Sequence, residues 1–475
     1  MPNDLTRLSA ADAAAAIRAR RLSPVELVEA VLAAIERSQP VLNAFVTVAA
    51  DQARAAARAA EDAVARGEPL GPLHGVPFSV KDLTNTAGLR TTMGSTLFAD
   101  NVPGEDAAPV ARLRAAGAIL IGKTTTPEFG HKPFTDSPLT GITRNPWNAA
   151  HTPGGSSGGA AAAVAAGLGP IALGTDGGGS IRIPAACCGI LGLKPTLGRV
   201  PHVHAPDLFG NTSTIGPMAR TVADARLMLR VIEGPDLRDP YAAALPPDAA
   251  PLGARLEGLR IGWAPRVGNR LLDAEVEALT TAAIRALEAM GAAVEPVESD
   301  LAAEEEAFLV LLQAGLAGRL ASHLPAAADR LDASLRETVA RGQRRSAAEI
   351  LAATAHRTTL FRRVVALFEA GVDMLATPTL SAPAPPAGLD PFAPFAVGGG
   401  SGEAGRIRAT WYPYTFPFNL TGHPALSVPC GRTAGGLPVG LQLVAPWHAD
   451  HRLLDLAACL EAVQPWAQDW PPAAA

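Results

Sequence analysis

Residues 151–184 read HTPGGSSGGAAAAVAAGLGPIALGTDGGGSIRIP, and the fold class turns on how that stretch divides. A loop of small residues runs to Ser157, Ala160–Ala166 has helical composition, Gly167 and Gly169 stop it, and "IALGTD" is a short apolar strand before glycines turn the chain again. Upstream, "APVARLRAAGAILIGKTT" (108–125) repeats the order of helix, glycine stop and apolar strand. Helices and short strands alternating in this way imply an α/β fold with a largely parallel or mixed sheet covered by helices.

Further out, Ser9 and Ser23 stand where helix N-caps belong, with Pro24 at a first helical position and Glu26 as capping-box partner of Ser23, so the first sixty-odd residues read as helices. In "GVPFSVKDL" (75–83) Val76, Phe78 and Val80 alternate as a strand does, which puts Lys81 at its end on the other face. From about residue 222 to 370 the pattern is helical; a Pro/Gly-rich loop follows, then two strand-like pieces, "GHPALSVPCG" and "LPVGLQLVAP", and a last helix through Cys459. The expected organisation is one domain over residues 1–475, with 225–400 a helical and loop insertion that shapes a substrate funnel.

Hydrophobic residues make up 48% of the 475 and charged residues 18%, a balance that supplies a core and excludes a disordered chain. The net charge of -5 carries no run of like charges, which argues against nucleic acid as a partner. The N-terminus lacks the apolar core of a signal peptide, and the longest alanine-rich stretch is too short to span a bilayer. A soluble cytoplasmic protein acting on small molecules is expected, with a homodimer a reasonable assembly. Cys187, Cys188, Cys430 and Cys459 have neither CxxC spacing nor paired histidines, so buried thiols are expected and no metal site.

Three short patterns compete for the chemistry. Gly117, Gly122, Lys123 and Thr124 fit GxxxxGK[ST], a phosphate-binding loop, but the pattern follows a helix and its variable positions, "AILI", look like a strand themselves. Gly155, Ser157 and Gly159 fit the GxSxG nucleophile elbow, yet loop precedes it where a strand is required, and nothing marks His151 or His423 as a partner. The run "GTDGGGS" has bare N–H groups that could cradle a phosphate, without a second phosphate ligand. The better constellation is Lys81, Ser156 and Ser180. A serine hydroxyl needs a base, and a lysine can be that base when burial lowers its pKa from ~10.4 towards roughly 7–8. The glycines before Ser180 leave consecutive N–H groups open, as an oxyanion hole requires.

At these residues the sequence resembles the amidase signature family. The resemblance is strongest across "GVPFSVKD", "GKTTTPEFG", "TRNPWN", "TPGGSSGGAAAAVAAG" and "LGTDGGGSIRIPAACCGILGLKPT", and returns in "VDMLATPT" and "FNLTGHPALSVPCG". It implies an α/β fold whose central mixed β-sheet is covered by α-helices on both faces, and a Ser–cis-Ser–Lys triad: Ser180 as nucleophile, Ser156 as bridging serine after a cis Gly155–Ser156 peptide, Lys81 as base. It further implies an oxyanion hole from the backbone of Gly177, Gly178, Gly179 and Ser180, with Gly155, Ser157, Asp176 and Arg182 holding the loops. The implied activity is hydrolysis of a small linear aryl or acyl amide, or of an ester or carbamate (urethane), through an acyl-enzyme and with no cofactor. Phe129, His131 and Tyr414 are candidates for the substrate pocket. The alternatives are the glutaminase component of a glutamyl-tRNA amidotransferase, and nucleotide binding through Gly117–Thr124. Against the first stands "SAAEILAATAHRTTLF" (346–361), where such glutaminases usually carry a tyrosine-rich helix.

Overall fold

The computed structural model describes residues 4–242, 252–253, 255–324 and 328–473. Its centre is an 11-stranded sheet. In chain order the strands are β1 (Phe45–Val48), β2 (Pro77–Lys81), β3 (Ile119–Thr124), β4 (Ile171–Asp176), β5 (Leu191–Lys194), β6 (Thr214–Ala219), β7 (Arg260–Trp263), β8 (Ala293–Pro296), β9 (Met374–Pro378), β10 (Ala425–Arg432) and β11 (Pro438–Val444). In space they run β1-β3-β2-β4-β6-β5-β10-β11-β9-β7-β8. The sheet is mixed: β3, β2 and β4 are parallel neighbours, β4 and β6 antiparallel, and β9, β7 and β8 parallel again.

Period 2 along the strands decides which residues meet which layer of helices. On β2 and β4, Phe78, Val80, Ile171 and Leu173 join the core formed with the N-terminal helices and the helices Val222–Ile232 and Asp450–Val463. Ala172, one residue out of phase, joins the opposite core with the helices Gly158–Ala165 and Arg182–Cys188. Lys81, in phase with Ser79, therefore points to that second layer, as the alternation in "GVPFSVKDL" predicts. The alanine-rich helix lies flat on the sheet because its residues are small. A Cβ on Gly159 would stand 2.3 Å from Thr125 Oγ1 and 2.6 Å from Ala44 O.

Two expectations are corrected. Residues 225–400 are not helix and loop alone, since β7, β8 and β9 come from this segment and extend the main sheet at its far edge. These strands have four or five residues each, too short for an alternating pattern to stand out. Ser23 does cap the helix Pro24–Leu42, accepting from Val25 N and Glu26 N, but its hydroxyl donates to Glu61 and no box with Glu26 forms. The four cysteines are free and buried. No helix among the described residues is long and apolar enough to cross a membrane.

Candidate active site

Three chain turns converge on the second face of the sheet. β2 ends in Lys81, whose side chain is wholly buried. Its Nζ donates to Ser156 Oγ at 2.7 Å, to Thr175 Oγ1 at 2.9 Å and to Thr175 O at 3.3 Å. Burial is the main influence on this ammonium and pushes its pKa well below the ordinary lysine range, against a smaller upward pull from the Asp176 carboxylate.

Ser156 follows a cis peptide bond to Gly155. The next residue fastens this loop to β4 and to the turn beyond it. Ser157 Oγ donates to Thr175 O at 3.1 Å and accepts from Thr175 N at 3.3 Å, while Ser157 N donates to Ser180 O at 3.0 Å. Gly130 closes the other side, because a Cβ there would stand 3.0 Å from Ser156 Oγ.

The turn 177–181 is shaped by Asp176. Its carboxylate accepts from Gly179 N at 2.6 Å, Ile181 N at 3.2 Å and Arg182 Nε at 2.9 Å, and from Asn419 Nδ2 at 3.0 Å. Burial alone would raise this carboxyl; the Arg182 guanidinium and the Asn419 amide outweigh it and hold the group well below the usual carboxylate range. Arg182 is itself buried and is completed by Thr415 O, Gln442 Oε1 and Asn419 Oδ1. The Gly179 N–H is thus engaged by Asp176, whereas those of Gly177, Gly178 and Ser180 make no hydrogen bond among the described residues. Those three N–H groups, beside a half-exposed serine, are what a developing oxyanion would find.

Of the three expected pocket residues, Tyr414 and His131 have their polar atoms engaged within the protein. Tyr414 is fully buried, with its hydroxyl donating to Pro265 O at 2.9 Å and accepting from Asn269 Nδ2, and burial lifts its pKa to about 12. His131 is buried between Glu128 O, 2.8 Å from Nδ1, and Ser334 Oγ, 2.7 Å from Nε2. Both are packing and bracing residues. Phe129 and His131 stand on either side of Gly130, which abuts Ser156 Oγ, and of the two only the His131 ring is taken up by polar partners. The side chain found against the turn is Phe308, whose ring would meet a Cβ on Gly178 at 2.6 Å.

Neither competing histidine reaches a serine of the site: His151 Nδ1 lies 2.8 Å from Ala384 O, and His423 is buried beside Phe361 and Phe368. Nor do Gly117–Thr124 form a phosphate loop. Residues 119–124 are β3, paired on both sides, and Lys123 Nζ donates inward to Thr84 O, Thr86 Oγ1 and Thr91 Oγ1. Thr415 and Gln442, which brace Arg182, carry no local signal in the sequence, and Thr175, which braces Lys81, falls in "GTDGGGS" without its task showing there. Asn419 falls in "FNLTGHPALSVPCG", a stretch that marks its neighbourhood without showing its task.

Residues 26–454 match the family described as Amidase. An acylamidase of Rhodococcus erythropolis is 39% identical over 98% of this chain and 97% of its own. A component of the glutamyl-tRNA(Gln) amidotransferase of Synechococcus sp. (strain CC9605) is 38% identical over 93% of both. Among solved structures, a bacterial aryl acylamidase of the amidase signature enzymes superposes with a TM-score of 0.89 at 31% identity, covering 97% of each chain.

Proposed function

The chain belongs to the amidase signature family of amide C–N hydrolases, and from that premise we propose that it cleaves a small linear amide through an acyl-enzyme on Ser180. The observation that carries this is the wholly buried Lys81, with Nζ 2.7 Å from Ser156 Oγ, beside a turn whose open N–H groups flank Ser180. A lysine whose charged form is disfavoured by burial gives up its proton more readily and, once neutral, can accept one from a hydroxyl. Ser180 Oγ attacks the carbonyl while its proton passes to Ser156 Oγ, and the Ser156 proton passes to Lys81. The oxyanion is met by the N–H groups of Gly177, Gly178 and Ser180. The relay then returns a proton to the leaving amine, and water repeats the sequence to release the acid. Esters and carbamates suit the same steps.

Release of amine or alcohol from an anilide, an aryl carbamate, a primary aliphatic amide and glutamine tests this, with wild type beside Ser180→Ala. Turnover of the anilide or carbamate that disappears in Ser180→Ala is expected; undiminished turnover in that variant sinks the acyl-Ser180 step. A second reading, glutamine hydrolysis as one component of an amidotransferase, draws on the Synechococcus relative. It would be favoured if glutamine alone were cleaved. The helix Ala347–Glu369 has no tyrosine, which counts against it.

A further inference from the structure

Among the described residues, four arginines have guanidinium groups pushed below their ordinary range by the protein around them: Arg112, Arg220, Arg319 and Arg357. A cation partly withdrawn from water needs acceptors in return. Three have them. Arg112 donates to the carbonyls of Ile232, Gly234 and Pro235, Arg220 to those of Ala165, Ala467 and Asp469, and Arg357 to those of Leu420, Gly210 and Asn211. Arg319 has neither carbonyl nor carboxylate among the described residues. Its contacts are the Met93 thioether, 3.7 Å from Nη2, and the Phe129 ring, whose centroid is 5.0 Å from Cζ. It is nonetheless exposed to solvent, so the group is partly dehydrated and open to a ligand.

The Arg319–Phe129 contact adjoins the site. Phe129 leads directly into Gly130, which abuts Ser156 Oγ. Phe129 has a left-handed backbone, φ 52°, uncommon for an aromatic residue. It is held there by its N–H to Met93 O at 2.9 Å and by an edge contact with Phe98, ring centroids 5.9 Å apart. The segment after β5 lies within reach of the same guanidinium. His202 on that segment is drawn down to about 4, chiefly by burial, with Arg319 among the charges that lower it, so the two are within electrostatic reach. The same segment runs to Ser213, whose Cβ is the nearest neighbour, at 3.7 Å, of a Cβ placed on Gly177.

We propose that Arg319 reads a carboxylate carried by the amide substrate away from the scissile bond. This rests on the hydrolase reading above and narrows its substrates to acid-bearing amides, such as the half-amide of a dicarboxylic acid. A guanidinium offers a carboxylate two parallel N–H donors, and an aromatic face beneath it fixes the plane of the fork without consuming any donor.

The test compares kcat/KM for succinanilate with that for butyranilide, a neutral amide of similar shape, at neutral pH. Wild type is expected to favour succinanilate. Arg319→Met should lower the ratio of the two by roughly 10- to 100-fold, mainly through KM. Arg319→Lys should recover part of it, since a point charge lacks the fork. A wild-type ratio at or below one, or a ratio that Arg319→Met leaves unmoved, overturns the proposal. If Arg319→Met does not fold, wild type carries the test alone: added salt must lower the ratio by screening, and a salt-independent ratio overturns it. Calorimetric binding of succinanilate to Ser180→Ala, with and without Arg319→Met, reads the contact apart from turnover. Failure of the Ser180 mechanism and failure of this contact are therefore seen separately.

Discussion

Two buried lysines end neighbouring strands, and their surroundings assign them different work. The β2–β3 register pairs Val80 with Lys123 and Lys81 with Thr124, so the two ammonium groups leave opposite faces of the sheet. Both are fully buried, and burial lowers both, Lys123 to about 7. Lys123 donates to Thr84 O, to Thr86 Oγ1 at 2.7 Å and to Thr91 Oγ1 at 3.0 Å, with the Asp82 carboxylate as counter-charge, and so ties down the connection 82–91. Lys81 donates to a serine that belongs to a second loop. A pKa lowered by burial therefore does not mark a base. Both lysines have hydroxyl partners, but the Thr86 and Thr91 hydroxyls beside Lys123 spend their protons on the carbonyls of Thr84 and Leu89, whereas the Ser156 hydroxyl beside Lys81 donates to no group among the described residues.

The widest separation between the two should come from parallel substitution. Lys81→Met is expected to lower kcat/KM on any cleaved amide by roughly 10²–10⁴, the usual worth of a positioned base. Lys123→Met should instead cost stability, about 2–4 kcal/mol in denaturant titration, because three buried acceptors lose their donor. Its activity per folded molecule should stay near wild type. Lys123→Met that melted normally but lost catalysis would break the comparison.

Why the sequence distinguishes the two lysines only in part follows from the distances involved. Lys81 is legible because "GVPFSVKDL" is a local pattern, and the sheet itself because "GAILIGKTT" and "GLGPIALGTDGGG" each combine a glycine stop with an apolar strand. The task of Lys123 is not legible: as the lysine of a GxxxxGK[ST] pattern it imitates a phosphate loop, and only the fold shows its ammonium turned inward. Thr175 lies 94 residues from Lys81, and Asn419 and Gln442 reach Arg182 across 237 and 260 residues. Such pairings arise from the order of strands in the sheet, which no window of sequence contains. Tyr414 and His131 attract notice in the sequence as aromatic and titratable residues near motifs, but their polar atoms already have partners inside the protein.

Thr175→Val sharpens the comparison with a smaller effect. The hydroxyl accepts from Lys81 Nζ at 2.9 Å and so favours the charged amine. Removing it disfavours that charge further and moves the Lys81 pKa down. If Lys81 is the base, the acidic limb of the kcat/KM profile should shift to lower pH, with Ser156 still in place. A limb that stays fixed would mean that some other group controls it.

The smallest effect is on the pH dependence of stability, and here Lys123 is the better reporter. Its folded-state pKa of about 7 lies below the ~10.4 of an unfolded lysine, so between those values the unfolded chain binds more protons. Stability therefore rises with pH from about 7 upward, as the cost of burying the charged form fades. Nearer pH 9 the buried thiols of Cys187, Cys188 and Cys430, all raised by burial, act in the opposite sense, because the unfolded chain then loses protons that the folded one keeps. The usable window is thus neutral to mildly alkaline. Denaturant midpoints measured across it should climb in wild type and climb less steeply in Lys123→Met. Some slope should persist from Lys194, which burial also lowers to about 7. Equal slopes in the two proteins would mean that Lys123 stays protonated in the fold, held by Asp82 and its three acceptors, and the contrast with Lys81 would then extend to charge as well as to partner.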